Sequence, residues 1–214
     1  LDNQKCAIEL HILPFFGDML VSEITPADVA EWQNQLLSEH YSAAHTRQIN
    51  AYLRMLFRYA INYLGLPKSP VIGQICKPTV KQINYWTPEE YKLFSDNLKD
   101  NIELYTAFEM LFYTGMRKGE LLALTLEDID FAKKTIRINK TLAYISGEYV
   151  AQSPKTVKSN RIIEAPDFLL EEIKAYIAKL YCPESKQRLF MRSRVWLGQA
   201  ISYNCESLNM KRIR

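Results

Sequence analysis

Between Pro67 and Asn84 the chain carries Pro67, Pro70, Gly73 and Pro78 and shows little apolar periodicity. Proline lacks a backbone donor and glycine has no side chain to pack, so no regular helix or strand is expected to cross such a stretch. The segments on either side of it must therefore bury separate cores. The reading is two domains, residues 1–66 and 85–214, joined by a linker at 67–84. A chain of 214 residues is long enough for both.

The first part reads as helical throughout. Leu1 to Leu13 is a short amphipathic segment that Pro14 and Gly17 close. Thr25-Pro26-Ala27-Asp28 starts a helix with Thr as N-cap, Pro at the first position and an acid in the first turn, running to about His40. From Ser42 to Leu64, Ile49, Tyr52, Leu53, Leu56, Phe57, Ala60, Ile61 and Leu64 recur at three- and four-residue spacing, a core-facing stripe. At 100° per residue, Arg47, Arg54 and Arg58 fall within about 40° of one another on the other face. That ridge is either solvated surface or a row of phosphate contacts.

The second part changes period. Thr87 and Glu90 stand at capping-box spacing, and a helix from Asn101 to Tyr113 packs Leu104, Phe108, Leu111 and Phe112 inward before Gly115 caps it. After a short helix at Lys118–Ala123, Thr135 to Lys140 alternates as a strand, Tyr149 to Ser153 comes after a turn at Gly147, and Arg161 to Glu164 reads as a third strand. These three are expected to form one small antiparallel sheet. Pro166-Asp167 opens a further helix, and another is expected near Val195–Tyr203. The fold class is mainly α, with that small three-stranded sheet in the second domain.

Several function classes find no support. No apolar run approaches the roughly 18–20 residues of a membrane span. Cys6, Cys76, Cys182 and Cys205 are far apart, which speaks against a disulfide framework or zinc site and for a reducing cytosol. The chain has three histidines and no HExxH, no GxGxxG, no P-loop and no GxSxG, so metal, nucleotide and serine-hydrolase chemistry are disfavoured. Charge is more telling. Residues 131–161 and 186–214 each carry seven Lys/Arg against one acid, separated by acidic stretches. A positive face for a polyanion, nucleic acid first, or a merely uneven surface would each produce that pattern.

Two segments could carry chemistry. In Tyr113-Thr-Gly-Met-Arg117-Lys-Gly-Glu120-Leu-Leu-Ala-Leu124 a glycine turn sets Arg117 near the start of a helix, beside free N–H groups. There it could clamp a phosphate, with Glu120 orienting it, or simply pair with Glu120 as a packing salt bridge. Gln152-Ser-Pro-Lys155-Thr-Val-Lys158-Ser-Asn-Arg161 lies where two strands turn. A hairpin tip there brings Lys155 onto a phosphate or leaving oxygen, or is an exposed basic loop.

Together these segments resemble the tyrosine recombinase (phage-type integrase) family over essentially the whole chain. Thr114 to Leu124 matches the motif around the first active-site arginine, followed by the acidic Leu126-Glu-Asp-Ile-Asp130. Ser153-Pro-Lys155-Thr156 with Ser159 to Ile163 matches the hairpin of the active-site lysine. Leu13-Pro-Phe-Phe-Gly17 with Ile24 to Val29 resembles the helical core-binding domain, and Tyr85-Trp-Thr-Pro-Glu-Glu90 the entrance to the catalytic domain.

The resemblance implies a two-domain clamp on double-stranded DNA that cuts by tyrosine attack through a 3′-phosphotyrosyl link, with no cofactor and no metal. Arg117 then binds the scissile phosphate, Glu120 supports it and Lys155 serves the leaving group, while Arg47, Arg54, Arg58, Lys158 and Arg161 are assigned to DNA. The parent is expected to be a cytoplasmic site-specific recombinase of a phage or integrative element, tetrameric on DNA. The alternatives are a non-catalytic DNA-binding regulator or architectural protein, and a helical protein-interaction scaffold. The family's later HxxR and nucleophilic tyrosine have no match: residues 14, 43 and 48, three after each histidine, are Pro, Ala and Gln. The expectation is a fragment without the last third of the catalytic domain, monomeric in solution, that binds DNA without cutting it. Any arm-binding domain would then lie outside these residues. Tyr203, which precedes the missing box, is expected to be a packed aromatic.

Overall fold

The computed structural model describes residues 2–73, 75–76, 84–145, 147–153, 160–181 and 183–213. The chain divides into two compact units, Leu1–Gln82 and Ile83–Arg214.

In the first unit α1 (Asp2–Ala7) passes through a π-helical turn (Ile8–Ile12) into α2 (Leu13–Phe16). Pro14 was expected to end the helix, and it does not. Leu13 donates its N–H to Ile8 O, and the proline stands in the first turn of α2, where its missing N–H is tolerated. The helix ends at Gly17. Helix α3 (Pro26–Ser38) starts on a capping box in which Thr25 N–H donates to Asp28 Oδ2 at 2.7 Å and Asp28 N–H to Thr25 Oγ1 at 3.3 Å. Helix α4 (Ala43–Leu64) is capped by Ser42 and closed by Gly65 at φ +74°, a left-handed value that favours glycine.

Ile12, Phe16, Trp32, Ile49, Leu53 and Phe57 form the centre of this unit's core. Trp32 Nε1 donates to His11 O at 2.8 Å, tying α3 to the π turn. The expected stripe on α4 is narrower than its sequence: Ile49, Leu53, Phe57 and Ala60 are buried, whereas Leu56 and Leu64 are exposed. Leu56 lies about 55° off the mean inward direction, and Leu64 is the final helical residue.

The second unit begins with α5 (Pro88–Asp96), whose Thr87–Glu90 capping box forms as expected, and α6 (Ile102–Thr114). Then come the single turn α7 (Lys118–Leu121), a 3₁₀ turn (Leu126–Asp128), β1 (Ile129–Asp130) and β2 (Thr135–Ile138). Strands β3 (Thr141–Ile145), β4 (Glu148–Gln152) and β5 (Arg161–Glu164) precede α8 (Asp167–Ile177) and α9 (Trp196–Ser207). Ile136 and Ile138 of β2 point into a core that also holds Phe94, Leu121, Leu169 and Phe190, while Arg137 between them points out. Truncating a side chain such as Phe94, fully buried, would cost about 3–5 kcal/mol.

The three-stranded antiparallel sheet exists, with different members from those expected. Its order is β1-β2-β5, and β4 pairs only with β3 as a separate hairpin. Both edges of β2 are already occupied, by β1 and β5, so β4 cannot lie beside β2. Phe112, expected inside, is also exposed, and its ring stacks on Tyr91 at 3.7 Å.

Candidate active site

The turn after α6 is built by its glycine. Gly115 takes φ +60° and donates its N–H to Leu111 O at 3.1 Å, closing the helix so that the chain reverses into α7. Met116 is buried behind the turn and Arg117 becomes the N-cap residue of α7, with its side chain 75% exposed. Glu120, three residues on, has only 6% of its side chain exposed.

Four hydrogen bonds converge on the Glu120 carboxylate. Arg117 gives its backbone N–H to Oε2 at 2.9 Å and Nη1 to Oε1 at 3.0 Å. Arg161, at the start of β5, gives Nη2 to Oε2 at 2.8 Å and Nη1 to Oε1 at 3.2 Å. Burial pushes the Glu120 carboxyl up, but the Arg161 guanidinium and the two Arg117 donors outweigh it and hold it below its ordinary value. It is an ionised acid shared by two cations.

Strand β3 seats α7 from below. A Cβ on Gly119 would lie 2.6 Å from Thr141 Oγ1 and 3.5 Å from Leu142 O, so any larger residue would force α7 or the Thr141 side chain to shift. The acidic run after α7 is structural. Asp128 Oδ2 accepts from Thr125 N–H at 2.9 Å and Thr125 Oγ1 at 2.7 Å, and Lys140 Nζ sits 2.6 Å from the same oxygen. Burial raises the Asp128 carboxyl, yet Lys140 and Thr125 together bring it below its usual range.

Arg117, Lys118 and Arg212 also line an open groove of about 770 Å³ walled by Trp86, Tyr91, Phe112 and Ile201. The chain's end is tied to this wall: Trp86 Nε1 donates to Lys211 O at 2.8 Å, and Lys211 Nζ lies 3.0 Å from Glu90 Oε2. A groove with an exposed guanidinium in its lining can receive an anion whose remaining bulk is apolar or stacked.

Of the residues expected at the site, Arg117, Glu120 and Arg161 are brought together. Lys155 and Lys158 lie outside the described residues. Arg54 and Arg58 are exposed and Arg47 is half-buried on α4 of the first unit. Tyr203 is not the packed aromatic expected: 74% of it is exposed on α9, because Asn204 and Cys205 take the inward positions of that turn. Sequence reasoning missed two links, Arg161 with Glu120 and Lys140 with Asp128. Both join residues on separate elements, and only strand register could have revealed them. Among the described residues no three His, Cys, Asp or Glu side chains converge as a metal site, and no helix is long and apolar enough to cross a membrane.

Comparison with known proteins is consistent along the chain. The pattern described as the phage integrase family matches residues 84–213, and that of the phage integrase N-terminal SAM-like domain matches residues 1–37. The ICEBs1 integrase of Bacillus subtilis (strain 168) is 28% identical over 190 residues, covering 88% of this chain and 50% of that protein. The integrase of Staphylococcus phage L54a is 31% identical over 186 residues, covering 76% of this chain and 52% of its own. The chain thus spans about half the length of these curated relatives. Among solved structures, the Tn1549 transposon integrase in complex with transposon right end DNA superposes with a TM-score of 0.80 at 19% identity, over 100% of this chain and 76% of that one. A lambda integrase dimer bound to a COC′ core site gives 0.70 at 18% identity, over 100% of this chain and 59% of that one. At these identities the likeness is one of fold.

Proposed function

The chain belongs to the phage integrase family, and from that premise we propose that it is the DNA-binding and arginine-bearing part of a site-specific recombinase of a phage or integrative element. The substrate is double-stranded DNA. The parent protein cuts and rejoins it through a 3′-phosphotyrosyl intermediate, working in the cytoplasm as a tetramer on DNA.

The observation that carries this reading is the exposed Arg117 guanidinium anchored at its root by a buried Glu120 carboxylate. Charge gathers on the nonbridging phosphate oxygens in the transition state, and a donor already fixed in place stabilises it without reorganising. Arg117 is that donor and Glu120 fixes it. Lys155 acts as general acid toward the departing 5′ oxygen. The 3′-phosphotyrosyl link conserves the phosphoester until a 5′-hydroxyl reverses it, so no nucleotide hydrolysis is needed. The HxxR pair and the nucleophilic tyrosine of the family have no counterpart within these 214 residues. The 214-residue chain therefore binds duplex DNA and leaves it uncut.

The test is a nicked suicide substrate carrying the attachment sequence of the element that encodes the protein, resolved on a denaturing gel. The full-length protein should give a covalent protein–DNA band, and the 214-residue chain none. Full-length protein that binds the site yet never gives the band would instead be a DNA-binding regulator. A band from the 214 residues alone would place the nucleophile among their own tyrosines, with exposed Tyr203 the first to mutate.

A further inference from the structure

Arg161 stands on β5, 41 residues beyond Glu120, and both of its terminal nitrogens are within hydrogen-bond distance of the Glu120 carboxylate. Resting on the recombinase reading, we infer that Arg161 is a positioning residue for phosphate binding: it neutralises Glu120 and so leaves the Arg117 charge uncompensated.

The argument is one of local charge. Glu120 is almost wholly buried and Arg117 is largely exposed, so the carboxylate and the substrate phosphate compete for one guanidinium. Arg117 and Glu120 alone make a net-neutral pair. A phosphate approaching that pair meets a cation already satisfied and an anion that repels it. Adding Arg161, whose side chain is 31% exposed, makes a trio of net charge +1. Arg161 takes both carboxylate oxygens in a planar fork, the geometry in which a guanidinium binds a carboxylate best. Glu120 can then hold Arg117 by its backbone N–H and a single Nη1 contact. The register of β5 supplies this arrangement: Ile138 pairs with Arg161 and Ile136 with Ile163, which turns Ile163 and Arg161 to the same side of the strand. Arg161 is thereby an internal counter-ion rather than a contact to DNA.

Two measurements test this. On the 214-residue chain without DNA, the Arg117 amide resonance should titrate with Glu120. Its midpoint should move upward in Arg161→Ala and stay near wild type in Arg161→Lys, which keeps a charge opposite Glu120. In the full-length protein at saturating DNA, Arg161→Ala should slow formation of the covalent adduct by about 10–100-fold. Arg161→Lys should recover most of that loss. Adding Glu120→Gln to Arg161→Ala should raise the rate above that of Arg161→Ala alone, because removing the carboxylate restores the net charge. The double variant also buries no unpaired charge, so it guards against a fold defect in the single one. In Arg161→Ala the salt slope for duplex should fall by no more than about one, the Arg117 contact, and Glu120→Gln should restore it. A slope reduced by about one in Arg161→Ala, with adduct formation unchanged, would make Arg161 a phosphate contact and overturn the inference. Losses in Arg161→Ala that Glu120→Gln deepens would overturn it as well. A wild-type protein that forms no adduct removes the recombinase reading itself, whereas a wild type that reacts no faster than Arg161→Ala removes this inference alone.

Discussion

Thr141 Oγ1 stands 2.6 Å from the point a Cβ on Gly119 would occupy, so the turn that carries Arg117 and Glu120 rests directly on the first residue of β3. Gly119→Ala should therefore push α7 off the strand and destabilise the protein by about 1–3 kcal/mol. Thr141→Ala in the same chain removes the clashing oxygen and should return most of that loss. Urea unfolding of the two variants decides it; equal stability of Gly119→Ala and wild type would mean that α7 or the Thr141 side chain shifts freely.

Arg117→Lys tests the planar fork. Lysine keeps the charge but cannot offer paired donors to a phosphate, so adduct formation by the full-length protein should be suppressed. Site affinity should stay within about tenfold, roughly 1.4 kcal/mol, since one contact among many is altered. A larger loss of affinity than of rate would make Arg117 a binding residue only.

Lys155→Ala should slow cleavage by about 10²–10⁴-fold if the lysine protonates the leaving oxygen. A 5′-thio leaving group needs little protonation and should restore much of the rate. Equal losses on the oxygen and sulfur substrates would leave Lys155 a phosphate contact.

Arg54 and Arg58 are exposed on one helix with no acidic residue along it. Replacing either with Ala should weaken binding to any duplex uniformly and reduce the salt slope by about one. Fluorescence anisotropy from low to physiological salt reads this directly. Unchanged slopes in both variants would assign the ridge to solvent.

Glu109 is buried and accepts the Tyr91 hydroxyl at 2.6 Å. Burial pushes its carboxyl above the ordinary 4.5, more than the Tyr91 bond pulls it down. The native state then takes up a proton before the unfolded state does, so this group adds stability as pH falls from the raised value toward 4.5. Glu120 and Asp128, held low, act in the opposite sense: their stabilisation is present above the ordinary carboxyl values and lost as pH falls through the depressed ones. Glu109→Gln, which can still accept from Tyr91, should raise the melting temperature by about 2–4 °C at pH 8. The gap to wild type should close on mild acidification. A gap that does not change with pH would mean that Glu109 titrates alike in the folded and unfolded states, and burial would not be raising its carboxyl.

Local signals were read well because they act over three or four residues. Thr25, Thr87, Gly65 and Gly115 each stand at the helix end that their chemistry demands. Fold class came from them. What could not be read was which strand lies beside which. Alternation marks Tyr149–Ser153 as a strand but is silent on its partner, and the two-residue β1 is too short to alternate at all. Charge misled for a related reason. The basic blocks are segregated along the sequence but not in space: Lys140 is paired with Asp128, Lys134 with Asp167, Arg192 with Glu103 and Lys211 with Glu90. Each pair joins a basic block to an acidic one. The positive charge offered to a ligand is thus smaller than the block counts. At the candidate site Arg117 and Glu120 were legible as a motif, while Arg161 joined them only through the register of β2 with β5.

That register has a consequence for how chain length can vary. Ile138 faces Arg161 across the sheet, so residues 139–160 depart from and return to one rung of the ladder. Closing a longer excursion between fixed feet costs little, roughly 0.6 kcal/mol for each doubling. Residues can be added at the turn beside Gly147, between β3 and β4, at small cost while Lys140, Thr141 and Arg161 keep their places. Homologues differing in length here should keep the carboxylate and its two guanidiniums in the same arrangement, and a tag or fluorophore inserted there would report on DNA without disturbing the anchor.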